Sequence, residues 1–278
     1  MFKQFQNRQR VAGITESEFF CKRGGLLIRG TEYRPAGDSL PAAIVSHGFM
    51  ANQDTMRHYA SYLAKQGYAA YCFDFNGGSV MGSRSEGKTT DMSVLTEVED
   101  LEAVIDYVTR LPYIDGAGTL LMGCSQGGFV SALTAARRKE QITRLVLFYP
   151  ALCIPDDARA GKMMFARFDP HNVPETFRCG PMKLGRCYVT DVLEMDPYKE
   201  IKPYTGPVLI VHGTKDNIVH PDYVQRAYET YCGRPGGESL VQLHMIEGGG
   251  HGFVRSYETI AMGLLEGFAQ EQKEHDNG

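Results

Sequence analysis

The stretch GTLLMG at residues 118–123 leads directly into CSQGG at residues 124–128. Its first part is a short apolar run of the kind that forms a buried strand, and a helical pattern through Ala132 and Ala135 follows the glycines. A serine framed as G-x-S-x-G between a strand and a helix is the nucleophile-elbow motif, which presents the serine at one edge of an α/β sheet. The stretch therefore predicts a strand, a tight turn and a helix, with Ser125 as a candidate nucleophile.

Strand and helix patterns alternate on both sides of this stretch. The helical pattern over residues 94–111 places its apolar residues on one face and its acids on the other, and a further helical pattern over residues 254–270 closes the chain. Residues 15–34 hold two β-rich runs around Gly24-Gly25, which predict an antiparallel hairpin. The sequence predicts an α/β fold with a mostly parallel eight-stranded sheet and helices on both faces. Its remaining strands are AAIVSHG (42–48), YAAYCFDF (68–75), RLVLFYP (144–150), PVLIVHG (207–213) and VQLHMIEG (241–248).

Residues 151–205 interrupt this alternation. The segment is long, rich in proline and without a clear β-α pattern. A stretch of this length is more often a functional insertion than a connector, so we interpret it as a lid over the site. The alternative is a loosely structured surface excursion. The predicted core then consists of residues 1–150 and 206–278, with the lid inserted at 151–205.

Composition excludes several classes of function. The formal net charge is −4 and the basic residues are scattered, which argues against a nucleic-acid partner. No apolar run approaches the ~18 residues that a membrane span needs, and the polar N-terminus MFKQFQNRQR is not followed by the apolar region of a secretory signal. The seven cysteines include no CxxC pair, so reduced thiols in the cytoplasm, and no metal site, are expected. The sequence leaves the oligomeric state open, with a homodimer as one option.

A nucleophilic serine needs a histidine base and an acid that orients it. His251, in GGGHGF, follows the last predicted strand, and Asp216, in HGTKDNIV, follows the strand before it. Both lie at carboxyl ends of strands, where open α/β sheets build their sites, and the order Ser, Asp, His is the one this elbow uses. Asp222 is the rival acid, but it begins the next helix, where a capping role is expected. His212 and His220 are expected to be structural.

An oxyanion must be bound by two backbone N–H groups. One donor should be Gln126, which follows the nucleophile, and the other should lie in the loop after the third strand, where Phe49 is our choice. His47 is expected to pack and hydrogen-bond beneath that loop. Cys124 is expected to point into the fold, as a packing residue rather than a rival nucleophile.

The segments HGF, GCSQGG, HGTKDNIV and GGGHGF, in this order and spacing, resemble α/β-hydrolases over almost the whole chain. More narrowly, FDFNGGS followed by MSVLTEVEDLEAVIDYV resembles the bacterial cinnamoyl (feruloyl) esterases. That family more often reads FNGHG where this chain has FNGGSVMGS, so residues around Gly77 and Gly78 could shape the pocket rim differently. The resemblance implies an α/β-hydrolase fold with a small lid and no cofactor. It also implies that a lid acid and tyrosine, matching Asp157 and Tyr188, bind the phenolic hydroxyl of the substrate.

The resemblance implies a serine carboxylesterase that hydrolyses aromatic, hydroxycinnamate-type esters through an acyl-enzyme on Ser125. Its partner would be a small-molecule ester. Another serine hydrolase on the same scaffold is the first alternative: a short-chain acyl esterase, a monoglyceride lipase or a peptidase. A non-catalytic binding protein with this fold is the second, and the complete set of Ser125, Asp216 and His251 speaks against it.

Overall fold

The computed structural model of the chain describes residues 13–80 and 82–275, with side chains as far as residue 270. The predicted absence of a secretory signal concerns residues 1–10 and lies outside the described part. No helix within that part is long and apolar enough to cross a bilayer.

An eight-stranded sheet forms the centre of the molecule, in the order β1-β2-β4-β3-β5-β6-β11-β12. Strand β2 pairs antiparallel with both of its neighbours, and the other pairs in this sheet are parallel. The predicted fold class is therefore confirmed. The strands are β1 (Ile14–Arg23), β2 (Leu26–Pro35), β3 (Leu40–Ser46), β4 (Ala69–Phe73), β5 (Ile114–Cys124), β6 (Ile142–Phe148), β11 (Val208–Gly213) and β12 (Val241–Ile246).

Helices cover both faces of the sheet, which explains why its inner strands are apolar on both sides. Helices α2 (Val94–Val108), α3 (Gln126–Arg137) and α7 (Pro221–Cys232) pack into one apolar cluster. Helices α1 (Arg57–Lys65) and α8 (Ser256–His275) pack into the other. Helix α8 thus begins two residues later and ends five residues later than the predicted 254–270.

The first turn of α2 is closed by a capping box. The Ser93 hydroxyl accepts from the Thr96 N–H at 3.3 Å, and the Thr96 hydroxyl accepts from the Ser93 N–H at 2.8 Å. These bonds satisfy two of the N–H groups that a helix start leaves free. Two acids of this helix, Glu97 and Asp100, are buried rather than exposed. The prediction that the acids of α2 all face away from the core is therefore wrong.

The segment from 151 to 205 is folded, with short elements of its own. Its strand Met182–Gly185 approaches the loop before α2 so closely that a Cβ at Gly185 would lie 1.9 Å from the Thr90 carbonyl oxygen. The hydroxyl of Thr89 also donates to the Lys183 carbonyl. Its interpretation as a lid stays a prediction. The elements are α4 (Ile154–Arg159), β7 (Lys162–Met163), β8 (Ala166–Arg167), β9 (Thr176–Cys179), β10 (Met182–Gly185), α5 (Cys187–Thr190) and α6 (Pro197–Ile201).

Candidate active site

Ser125 lies at the turn between β5 and α3 with a strained backbone, φ 54° and ψ −122°. This conformation costs a non-glycine residue on the order of 1–3 kcal/mol and persists only where its surroundings enforce it. A Cβ at Gly123 would lie 2.1 Å from the Gly127 carbonyl oxygen, and one at Gly127 would lie 2.3 Å from the His47 carbonyl oxygen. Both glycines are therefore required by close backbone contact, and together they hold the serine in this turn.

The structure brings Ser125, His251 and Asp216 into one hydrogen-bonded chain. His251 Nε2 lies 2.9 Å from Ser125 Oγ, and His251 Nδ1 lies 2.8 Å from Asp216 Oδ2. A carboxylate can only accept, so the Nδ1–H donates to Asp216. Nε2 is then free to accept the serine proton.

Asp216 is kept ionised by its hydrogen bonds. Its burial alone would raise its pKa. The bond from His251 and the N–H groups of Ile218 and Val219, each 2.9 Å from Oδ1, outweigh burial and lower that pKa below its ordinary value. A stable negative charge at this position favours the imidazolium that forms when His251 takes a proton.

The neighbouring histidines and the rival acid have other roles. His212 is fully buried and its Nε2 lies 2.9 Å from the Val219 carbonyl, so it supports the loop that carries Asp216. The exposed Asp222 lies 3.2 Å from His220, whereas the acid on His251 is Asp216. The N-cap of α7 is His220, whose Nδ1 accepts from the Asp222 N–H. The expected capping role of Asp222 is therefore wrong.

The loop after β3 passes directly beside the nucleophile. A Cβ at Gly48 would lie 3.1 Å from Ser125 Cβ, and Phe49 follows in the chain. The buried His47 holds this loop: its Nε2 accepts from the Phe75 N–H at 3.2 Å and its Nδ1 lies 2.8 Å from the Gly48 carbonyl. The structure thus places Gly48, the residue before Phe49, beside Ser125, and Gln126, the first residue of α3, directly follows the serine. The backbone N–H groups of Phe49 and Gln126 as oxyanion donors stay a prediction.

The two predicted substrate-binding residues differ in their surroundings. Tyr188 is buried, its hydroxyl donates to Gln126 Oε1 at 2.5 Å, and its ring lies 5.3 Å from that of Phe49. It therefore reaches the neighbourhood of the nucleophile. Asp157 is partly exposed and pairs with Lys162 Nζ at 3.1 Å. It also hydrogen-bonds Cys153, whose thiol pKa is raised first by burial and then by this carboxylate.

Two residues that the sequence analysis missed support the site. Glu97 Oε2 accepts from Gln126 Nε2 at 2.8 Å, and burial raises the pKa of Glu97 well above its ordinary value. The signal was available, because Glu97 shares a helical face with Leu101 four residues on. The Tyr149 ring packs edge-on against the His251 imidazole at 5.0 Å from a left-handed backbone, φ 38°. No local pattern marks such a residue.

The described side chains include no group of three or more His, Cys, Asp or Glu residues that could hold a metal ion. The chemistry that this arrangement can perform is nucleophilic attack by a serine hydroxyl, with a histidine as base and an oriented carboxylate behind it.

Comparison with known proteins gives a family for the chain. The model of the family described as "Serine aminopeptidase, S33" matches residues 39–181, which include the loop after β3, the elbow and much of the insertion.

Solved structures match over nearly the whole chain. Est1E from Butyrivibrio proteoclasticus with bound ferulic acid is 26% identical, with a TM-score of 0.82, over 92% of this chain and 99% of that one. A second structure of Est1E is 25% identical, with a TM-score of 0.79, over 95% and 100%. DcsB in complex with its substrate analogue is 21% identical, with a TM-score of 0.71 over 92% and 99%, and shows the fold alone.

Proposed function

The chain belongs to the family of α/β-hydrolases described as "Serine aminopeptidase, S33", and from this premise we propose that it is a serine carboxylesterase with Ser125 as its nucleophile. The observation that carries the proposal is the hydrogen-bonded chain from Ser125 Oγ through the His251 imidazole to Asp216. Its two distances, 2.9 and 2.8 Å, are those at which a base can take the serine proton while the acid holds it in the right tautomer.

In the first half of the reaction, Ser125 Oγ attacks the ester carbonyl carbon while His251 Nε2 takes its proton. The N–H groups of Gln126 and Phe49 stabilise the negative oxygen of the tetrahedral intermediate. His251 then gives the proton to the departing alcohol, which leaves an acyl group on the serine. In the second half, His251 activates a water molecule that releases the acid and restores the hydroxyl.

The substrate class that we propose is the aromatic, hydroxycinnamate-type ester, as a small molecule. Two facts support it: the 26% identity with Est1E, whose structure contains ferulic acid, and the paired rings of Phe49 and Tyr188, which lie 5.3 Å apart. Flat aromatic side chains suit a flat aromatic acyl group. Asp157 and Tyr188 would bind the ring hydroxyl.

A second candidate is a peptidase. The description of the matching family names an aminopeptidase, and the same triad can attack an amide.

We also propose that the protein acts in the cytoplasm. All seven cysteines lie in the described part of the chain, and none of them is in a disulfide. Free thiols at every cysteine are typical of a reducing compartment.

The test is a comparison of kcat/KM on methyl ferulate, p-nitrophenyl butyrate and an amino-acid p-nitroanilide. We expect methyl ferulate to be the best ester and the anilide to be inert. Ser125→Ala is the control, and its rate should fall by several orders of magnitude, on the order of 10⁶. Hydrolysis of the anilide ahead of both esters would favour the peptidase. A Ser125→Ala protein with a few per cent of the original rate would contradict the mechanism.

A further inference from the structure

A chain of buried polar side chains connects the core to the insertion just behind the nucleophile. Glu97 comes from α2, Gln126 is the first residue of α3, and Tyr188 comes from α5 in the insertion. Each is at most 2% exposed. Gln126 Nε2 donates to Glu97 Oε2 at 2.8 Å, and the Tyr188 hydroxyl donates to Gln126 Oε1 at 2.5 Å. The three side chains therefore act as one unit.

The direction of these bonds follows from what the outer groups can accept. The Gln126 amide nitrogen faces Glu97 Oε2, and it also faces the thioether sulfur of Met92 at 3.9 Å. A thioether only accepts, and the carbonyl oxygen of a carboxyl group accepts in either protonation state. In the structure the nitrogen end of the amide points toward Glu97 and Met92, which leaves the amide oxygen facing Tyr188.

The fixed amide determines what Tyr188 can offer to a ligand. A phenol has one proton, and an amide oxygen cannot donate, so Tyr188 uses its proton on Gln126. Burial raises the pKa of Tyr188 well above its ordinary value, so the hydroxyl keeps that proton. Toward any third group Tyr188 has only lone pairs. The charge of Asp157 also acts on Tyr188, and a carboxylate likewise only accepts.

We propose that Glu97 is a positioning residue that, through the Gln126 amide, turns the Tyr188 proton inward, so that Tyr188 and Asp157 accept a free ring hydroxyl and reject its methyl ether. The proposal rests on the esterase function proposed above and adds a determinant of its specificity. A hydroxyl donates to either acceptor. An ether oxygen has no proton and would place its lone pairs against theirs, at the cost of unpaired polar groups.

The test uses three methyl esters that differ only at the para position: p-coumarate with a hydroxyl, 4-methylcinnamate with a methyl, and 4-methoxycinnamate with an ether. The methyl compound separates size from hydrogen bonding. In the wild type we expect kcat/KM for the hydroxyl compound to exceed that for both others by roughly 5- to 150-fold, the range that one unpaired buried group costs.

The variants change Glu97, the member of the hydrogen-bonded chain that lies farthest from the substrate. Glu97→Met has a similar length but no strong acceptor, so the Gln126 amide can rotate and Tyr188 need no longer donate to it. We expect the hydroxyl-to-ether ratio to fall by about fivefold or more. Glu97→Gln keeps an acceptor oxygen and should restore the ratio to within about twofold of wild type. Each ratio compares substrates on one protein, so it does not depend on the folded fraction.

The matched control is Asp100→Asn, which changes another buried acid of α2 that bonds Arg23 and the Asn76 N–H rather than Gln126. It should leave the hydroxyl-to-ether ratio as in wild type.

A Glu97→Met protein that loses the same factor on all three esters would reduce Glu97 to a structural role and overturn the proposal. A Glu97→Gln protein without the hydroxyl preference would also overturn the proposal. The test therefore remains decisive if Glu97→Met does not fold. Wild-type hydrolysis without any hydroxyl preference overturns this inference alone, whereas no hydrolysis of any ester overturns the esterase function itself.

Discussion

The Asp216 carboxylate accepts hydrogen bonds at both of its oxygens, although Asp216 lies in a loop. His251 lies on one carboxylate oxygen, and the N–H groups of Ile218 and Val219 lie on the other. The two backbone bonds orient the carboxylate independently of the imidazole. The acid is therefore preorganised, and its side chain is fully buried.

Asp216→Asn should preserve this geometry while removing the charge. The amide can present a donor to Nδ1, which favours the wrong imidazole tautomer, and kcat should fall by up to about 10⁴. Steady-state kinetics on methyl ferulate would measure the loss. Asp222→Asn is the matched control, because that carboxylate is exposed and lies 3.2 Å from His220 Nδ1 rather than against His251. If Asp222→Asn proved the more damaging change, the acid would be wrongly assigned.

Residues of the site differ in how far the sequence reveals them. Ser125 is marked by a local motif, because the tight turn demands glycines at fixed positions on both sides of it. Asp216 and His251 follow from their places after strands. Glu97 is marked by its helical face, which it shares with Leu101, but its bond to Gln126 is not. That bond and the contact of Tyr149 with His251 depend on packing between different elements, and no local pattern reports them.

At the scale of elements, α2 carries two acids that it buries for different purposes. Glu97 faces the nucleophile turn. Asp100 instead joins α2 to the hairpin of β1 and β2 and to the loop after β4, since it accepts from Arg23 Nε and from the Asn76 N–H at 2.7 Å. The apolar periodicity of α2 predicted its existence and its buried face. It did not predict these acids, because a hydrogen-bonded carboxyl group can occupy a buried position that composition assigns to the surface.

Asp100 should make stability depend on pH. Burial raises its pKa from 3.8 to about 6, although Arg23 and the Asn76 N–H oppose the rise. The folded state therefore keeps a proton that the unfolded chain releases, so this contribution is complete below pH 3.8 and is lost as pH rises to about 6. The loss amounts to as much as about 3 kcal/mol.

Urea unfolding at several pH values between 4 and 7 would measure this effect as a difference between variants. Asp100→Asn carries no such proton, so its free energy of unfolding should rise relative to wild type across the window. Asp106→Asn, a more exposed acid on the same helix that pairs with Arg138, should follow the wild-type slope. Parallel slopes for Asp100→Asn and wild type would show that Asp100 titrates as in the unfolded chain.

At the scale of the whole molecule, the last helix is fastened to the middle of the sheet. Arg144 on β6 is 6% exposed, donates to the Phe268 carbonyl in α8, and stacks over the Phe268 ring at 5.0 Å. The Tyr68 hydroxyl donates to the Ala269 carbonyl at 3.2 Å. Both bonds join segments that are more than 100 residues apart in the chain.

Arg144→Met should lower the free energy of unfolding by about 1.5–3 kcal/mol, the usual worth of a buried hydrogen bond from a charged donor. The methionine keeps most of the apolar stem, so the change isolates the lost guanidinium. Arg137→Met, at an exposed position on α3, should stay within about 0.5 kcal/mol of wild type. Chemical denaturation gives both values. Unchanged kcat/KM in both variants would place the effect on stability, and an unaltered midpoint for Arg144→Met would show that α8 is held by its apolar face alone.

The global arrangement was more predictable than the connections within it. Alternating apolar runs and helical patterns predicted an eight-stranded, mostly parallel sheet, because strands buried on both faces consist almost entirely of apolar residues. The internal structure of residues 151–205 was not predicted. Its strands are two to four residues long, too short for periodicity to register.

Ser125 and His251 are 126 residues apart in the chain, and this separation affects how the protein is made. Synthesis at about 5–20 residues per second delivers the serine roughly 6–25 s before its base. A nascent chain can therefore form the turn at Ser125 while it is still unable to cleave an ester. The edge of β6 that later pairs with β11 also stays unpaired, since Leu145 can pair with Val208 only after the whole insertion has been translated. During that interval the apolar edge of β6 is unpaired and accessible to other chains. The partly synthesised protein is therefore more prone to aggregation than the complete one, and it is the form that a chaperone would protect.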